Sequence, residues 1–76
     1  MNISIEYCMQ WNYKPKALSL RDALNERFGY VAELIESGGG VFEVTVNGDL
    51  IFSKKQLGRF PEHDEIINLV ERFGLI

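Results

Sequence analysis

The feature that most constrains this chain is Asn47-Gly48, set between two stretches of alternating apolar and polar residues. Phe42, Val44 and Val46 alternate with Glu43 and Thr45, and Leu50 to Ser53 follow the pair. A two-residue type I′ turn needs positive φ at both central positions, which Asn-Gly tolerates best. The pattern therefore predicts an antiparallel hairpin with strands over 42–46 and 50–53. Upstream, Ile3, Ile5 and Tyr7 alternate with Ser4 and Glu6 and predict a first short strand that runs into a connection, Cys8 to Asn12.

From Tyr13 to Phe28 the period changes. Ala17, Leu20, Leu24 and Phe28 recur at steps of three and four, with Arg21, Asp22, Asn25 and Glu26 opposite, as in an amphipathic helix. Asn12 is the expected N-cap, Pro15 fits the first turn, and Gly29 fits the end. Tyr30 to Ile35 reads as a second strand, Gly38-Gly39-Gly40 as a turn, and Gly58 to Pro61 as the end of the sheet region. A last helix begins near Glu62 and carries an apolar stripe of Ile66, Ile67, Val70 and Phe73. Glu62, Asp64 and Glu65 suit its positive N-terminus.

The order is β-α-β-β-β-α within a single domain, residues 1–76. A right-handed crossover makes the first and second strands parallel neighbours, and the hairpin adds antiparallel pairs. The expected architecture is α/β (α+β): one mixed four-stranded sheet with two helices. The order does not say which face each helix covers.

Composition removes several function classes. The net charge of −3 lacks the basic face of a nucleic-acid binder. No apolar run approaches the roughly 18 residues of a membrane helix, and the start has no signal-peptide pattern, so the expected compartment is the cytoplasm. One Cys excludes an internal disulfide. The lone His63, beside Glu62 and Asp64, reads as a surface residue, and no His/Cys cluster suggests a metal site. Gly38-Gly39-Gly40 precedes a strand rather than a helix, so it lacks phosphate-loop geometry. Glu43 should face away from a core that contains Phe42 and Val44.

Two segments carry a family resemblance. Ile5-Glu6-Tyr7-Cys8-Met9-Gln10-Trp11, followed by Asn12-Tyr13-Lys14-Pro15-Lys16, resembles the start of the selenoprotein W (Rdx-type) family, in which a strand ends in Tyr-Cys-x-x-(Cys or selenocysteine). The run from Gly40 through Phe42-Glu43-Val44 to Ser53-Lys54-Lys55 is a closer match to that family's hairpin, and Gly58-Arg59-Phe60-Pro61-Glu62 is similar to bacterial members. The resemblance implies a thioredoxin-like fold and a redox role. It also marks a departure: Trp11 stands where the family has its second reactive residue, and an indole forms no disulfide.

The chemistry therefore rests on Cys8 alone. A dithiol oxidoreductase needs a second thiol to resolve the mixed disulfide. A single thiol can still exchange with glutathione, as co-substrate rather than bound cofactor, or with a protein thiol. Between a strand end and a helix start, the helix dipole would lower the Cys8 pKa, and Lys14 and Lys16 lie close in sequence. Against this, no His or Arg lies close in sequence, and Cys8 also reads as an inert or buried packing residue. The loop from Cys8 to Tyr13, with Met9 and Trp11, reads as a protein-contact surface or as local packing. Ser53-Lys54-Lys55, with Arg59 nearby, is the one basic cluster; it reads as an anion site or as a solvated strand end. Two functions follow: a monothiol redox protein, or a binding module that keeps the scaffold without the chemistry.

Overall fold

The computed structural model describes residues 2–74. Its elements are β1 (Ile3–Cys8), α1 (Lys14–Phe28), β2 (Glu33–Ser37), β3 (Phe42–Val46), β4 (Asp49–Ser53), α2 (Lys54–Leu57) and α3 (His63–Gly74). The sheet order is β2-β1-β3-β4. β1 runs parallel to β2 and antiparallel to β3, and β3 is antiparallel to β4, which gives the expected mixed sheet. The hairpin turn is as the sequence requires, with φ of 52° at Asn47 and 86° at Gly48. Beyond it, a register shift opposite Val44 and Thr45 leaves Ile51 without a partner, so Phe52 faces Val44 while Leu50 faces Thr45.

Strand alternation decides where the core lies. Ile3, Ile5 and Tyr7 pair with Val46, Val44 and Phe42, so all six share one face. They form a single buried cluster with Ala17, Leu20 and Leu24 of α1 and with Ile66 and Val70 of α3. Both long helices therefore cover the same face. The opposite face carries Ser4, Glu6, Glu43 and Thr45, and the Ser4 and Thr45 hydroxyls hydrogen-bond across the strands. Glu43 lies on that face as expected.

Five local expectations change. β1 extends through Cys8, so the cysteine belongs to the strand and not to the connection. Asn12 is not the N-cap: the Tyr13 carbonyl accepts from Ala17 N at 3.0 Å, which places the cap at Tyr13, without a side-chain cap bond. β2 begins at Glu33 rather than Tyr30, because residues 30–32 climb from the helix layer to the sheet, with Ala32 buried on the way. Ser53-Lys54-Lys55 is not a solvated strand end. Ser53 is buried, accepts from Gln56 N and caps the one-turn helix α2. In α3, Ile66 and Val70 are buried but Phe73 is exposed. Pro15 and Gly29 sit where expected, with Gly29 left-handed at φ 75°.

Candidate functional site

In an open α/β sheet, the carboxyl ends of parallel strands form a natural site where neighbouring connections diverge. Here β1 and β2 end together, with Cys8 opposite Ser37. The chain leaves β1 toward α1 and leaves β2 through the glycine run toward β3. Cys8 N donates to Val41 O and Met9 N to Ser37 O, both at 2.9 Å, so the cysteine is fixed between the two departing loops.

Cys8 has no exposed surface. It is nonetheless not part of the apolar cluster, whose β1 members are Ile3, Ile5 and Tyr7. Its immediate surroundings are polar. Burial pushes the thiol pKa up, but the backbone N–H groups of Gly40, Trp11 and Gln10 point to the sulfur and the Lys54 charge adds to them; together they hold the thiol below its ordinary value. Converging backbone N–H groups form an anion-binding nest, and here they favour the charged form of a side chain of the protein itself.

Gly40 makes this arrangement sterically feasible. Its φ of +70° lies in the left-handed region, and a Cβ there would meet the Trp11 ring at 2.7 Å. The indole thus lies against the residue whose N–H faces the sulfur. Trp11 itself remains 60% exposed and Met9 55%.

From Trp11 an aromatic series runs around the end of the sheet. The Trp11 and Tyr13 rings lie 5.9 Å apart, Tyr13 and Phe60 4.7 Å, and Phe60 and Phe42 5.4 Å, all edge to face. Lys54 Nζ stands 5.5 Å from the centroids of both Tyr13 and Phe60, and Lys16 Nζ 4.7 Å from that of Phe60. Beyond Phe60 a cleft of about 250 Å³ opens between α1 and the start of α3, lined among others by Pro15, Lys16, Leu20, Phe42 and His63. Ser19 Oγ and His63 Nε2 lie 3.2 Å apart at its rim.

The structure thus brings together Cys8, Trp11, Tyr13 and Lys54 from the residues singled out in the sequence. Met9 is exposed on the same loop. Ser53 and Lys55 serve a different purpose: Ser53 Oγ donates to both Glu43 carboxylate oxygens (2.7 and 2.9 Å), and Lys55 N lies 3.4 Å from one of them. Lys14 is exposed at the start of α1. Arg59 is not a free cation, because it forms a double hydrogen bond with Glu65. Sequence reasoning missed Gly40 and Phe60. The available signal for Gly40 was topological: once β1 and β2 are parallel neighbours, the loop leaving β2 must pass the end of β1.

Residues 2–72 match the model of the Rdx family. Migration and invasion enhancer 1 of Bos taurus is 34% identical over 73 residues, which make up 95% of this chain but only 64% of that protein. Selenoprotein W of Gallus gallus is 37% identical over 68 residues, 84% of this chain and 80% of that protein. The crystal structure of a selenoprotein W-related protein from Vibrio cholerae matches with a TM-score of 0.88 at 36% identity, covering 95% of this chain and 94% of that one.

Proposed function

This chain belongs to the Rdx family of selenoprotein W-related proteins, and on that premise we propose that it is a cytoplasmic redox protein acting through the single thiol of Cys8. The observation that carries the reading is the convergence of the Gln10, Trp11 and Gly40 N–H groups on a buried sulfur that lies outside the apolar core. A cysteine kept only for packing has no use for three hydrogen-bond donors.

The chemistry is thiol–disulfide exchange without an internal resolving thiol. The Cys8 thiolate attacks the glutathione sulfur of a mixed disulfide on a partner protein. The partner leaves as its thiolate, and Cys8 carries the glutathione. A second glutathione thiolate then attacks the glutathione sulfur on Cys8, which releases oxidised glutathione and regenerates the Cys8 thiolate. Two electrons pass from glutathione to the partner disulfide. Trp11, at the position of the family's second reactive residue, cannot divert this cycle into an internal disulfide. Because Cys8 has no exposed surface, each attack requires the loops that flank it to move apart.

The exposed Met9 and Trp11 favour a second reading, a protein-contact surface on the same loop. Alkylation of Cys8 by iodoacetamide against pH, native and denatured, separates the two. A native midpoint below the denatured value of about 8.5 supports exchange chemistry. Slow native alkylation at every pH, recovered on denaturation, overturns it in favour of the contact surface.

A further inference from the structure

The distribution of cations in this acidic chain is uneven. All four lysines, Lys14, Lys16, Lys54 and Lys55, lie in α1's first turn or in α2. Among the described residues none of them makes an ion pair, whereas Arg21, Arg27 and Arg59 pair with Asp22, Glu71 and Glu65. Two of these unpaired lysines, Lys16 and Lys54, stand over the aromatic faces of Tyr13 and Phe60. Those rings lead directly into the apolar cleft floored by Leu20 and Phe42. Lysine ammonium groups over a half-buried aromatic wall, in a chain of net charge −3, form a locally positive entrance to an apolar hole.

We infer that this cleft docks an acidic peptide segment of a partner protein, with one apolar side chain seated between α1 and Phe60 and flanking carboxylates on Lys16 and Lys54. Charge complementarity fixes the occupant's sign, and the apolar lining from Pro15, Leu20, Phe42 and Phe60 calls for an apolar anchor. Glu62 and Asp64 line an adjoining depression that shares Lys16, Phe60 and His63 with the cleft, so like-charge repulsion turns the peptide's acidic residues toward Lys54. Lys54 also stands over Tyr13, whose ring adjoins Trp11 on the loop that leaves Cys8, so the docked segment lies on the Cys8 side of the cleft. The inference assigns a partner class to the Cys8 site and rests on the redox reading only for the use made of docking.

Binding is therefore tested in the Cys8→Ser protein, by the fluorescence of Trp11, the chain's sole Trp. The probe is acetyl-Glu-Glu-Leu-Glu-Glu-amide, with the Gln-for-Glu and Gly-for-Leu peptides as controls. The expected result is a saturable change with the acidic peptide, weakened about tenfold by Lys16→Gln with Lys54→Gln, as the loss of two exposed charge contacts implies. It should weaken further in high salt and be lost with either control peptide. Ser19→Phe, a substitution at an exposed position on the cleft wall, should abolish the change while leaving the circular dichroism intact. Equal response to the acidic and Gln peptides, no response at all, or an equal response to free glutamate overturns the proposal. None of these outcomes depends on Cys8 reactivity, so the docking and redox readings fail separately.

Discussion

The helix-covered face of the sheet and the carboxyl end of β1 are equally buried and differently held. Ile5, Val44, Leu24 and Ile66 have no exposed surface and belong to one apolar cluster. Cys8 has none either, yet three backbone N–H groups and a lysine charge act to lower its pKa. Burial alone therefore does not separate scaffold from site. What separates them is whether the buried group meets hydrocarbon or hydrogen-bond donors. The first arrangement stabilises the fold; the second stabilises one charge state of one atom.

The largest effect expected on this contrast is on the scaffold side. Leu24→Ala removes a fully buried side chain from the α1–sheet contact and should cost about 2–5 kcal/mol in chemical denaturation. In the fraction that stays folded, the pH midpoint of Cys8 alkylation should not move. A midpoint shift as large as that in a site variant would show that core and site are one unit, and the comparison would collapse.

Gly40→Ala acts on the other side. The left-handed backbone costs a Cβ-bearing residue about 1–2 kcal/mol, and the new methyl meets the Trp11 ring. Stability should fall less than for Leu24→Ala, while the alkylation midpoint rises as the Gly40 N–H turns from the sulfur. Trp11→Ala relieves the steric clash but leaves the strained φ. A double variant that recovers part of the stability without recovering the low midpoint would assign the two effects to their separate causes.

How much of this was legible in the sequence follows the same division. The hairpin, the apolar parity of β1 and β3, and the stripe of α1 were readable because alternation and 3.6-residue periodicity record contact with hydrocarbon. The Cys8 environment was not, because backbone N–H groups have no sequence signature. Gly40 looked like any turn glycine until the parallel pairing of β1 with β2 placed its loop beside Cys8. Phe60 looked like the end of a sheet region until Tyr13 and Phe42 were found on either side of it. Lys54 and Lys55 were noticed for their charge, but buried Ser53 and its bonds to Glu43 show that the segment is a capped helical turn.

Cys8→Ser sharpens the comparison through pH. The folded thiol ionises below its ordinary value, whereas the unfolded thiol ionises near 8.5. Between the two values the unfolded chain holds more protons, so stability should rise with pH across that window and level off above the unfolded value. As pH falls through the folded value the contribution is lost. In Cys8→Ser this slope should vanish, as read from urea midpoints taken between pH 6 and 9. A slope that survives the substitution would belong to another group, and Cys8 would then be packed rather than ionised.

Lys54→Gln should have the smallest effect, and it tests the order of causes. Its charge acts on Cys8 more weakly than the Gly40, Trp11 and Gln10 N–H groups. The alkylation midpoint should therefore rise less than in Gly40→Ala. Because Lys54 stands at the half-exposed rim, salt should screen its contribution: the difference between wild type and variant should shrink as ionic strength rises toward 1 M, where the Debye length is about 3 Å. The N–H groups are fixed dipoles of the backbone, and salt should leave their share in place. A wild-type midpoint that climbs fully to the ordinary thiol value in high salt would mean that charge, not backbone geometry, holds the thiolate. The site would then be an extension of the lysine-rich rim rather than a nest built by the fold.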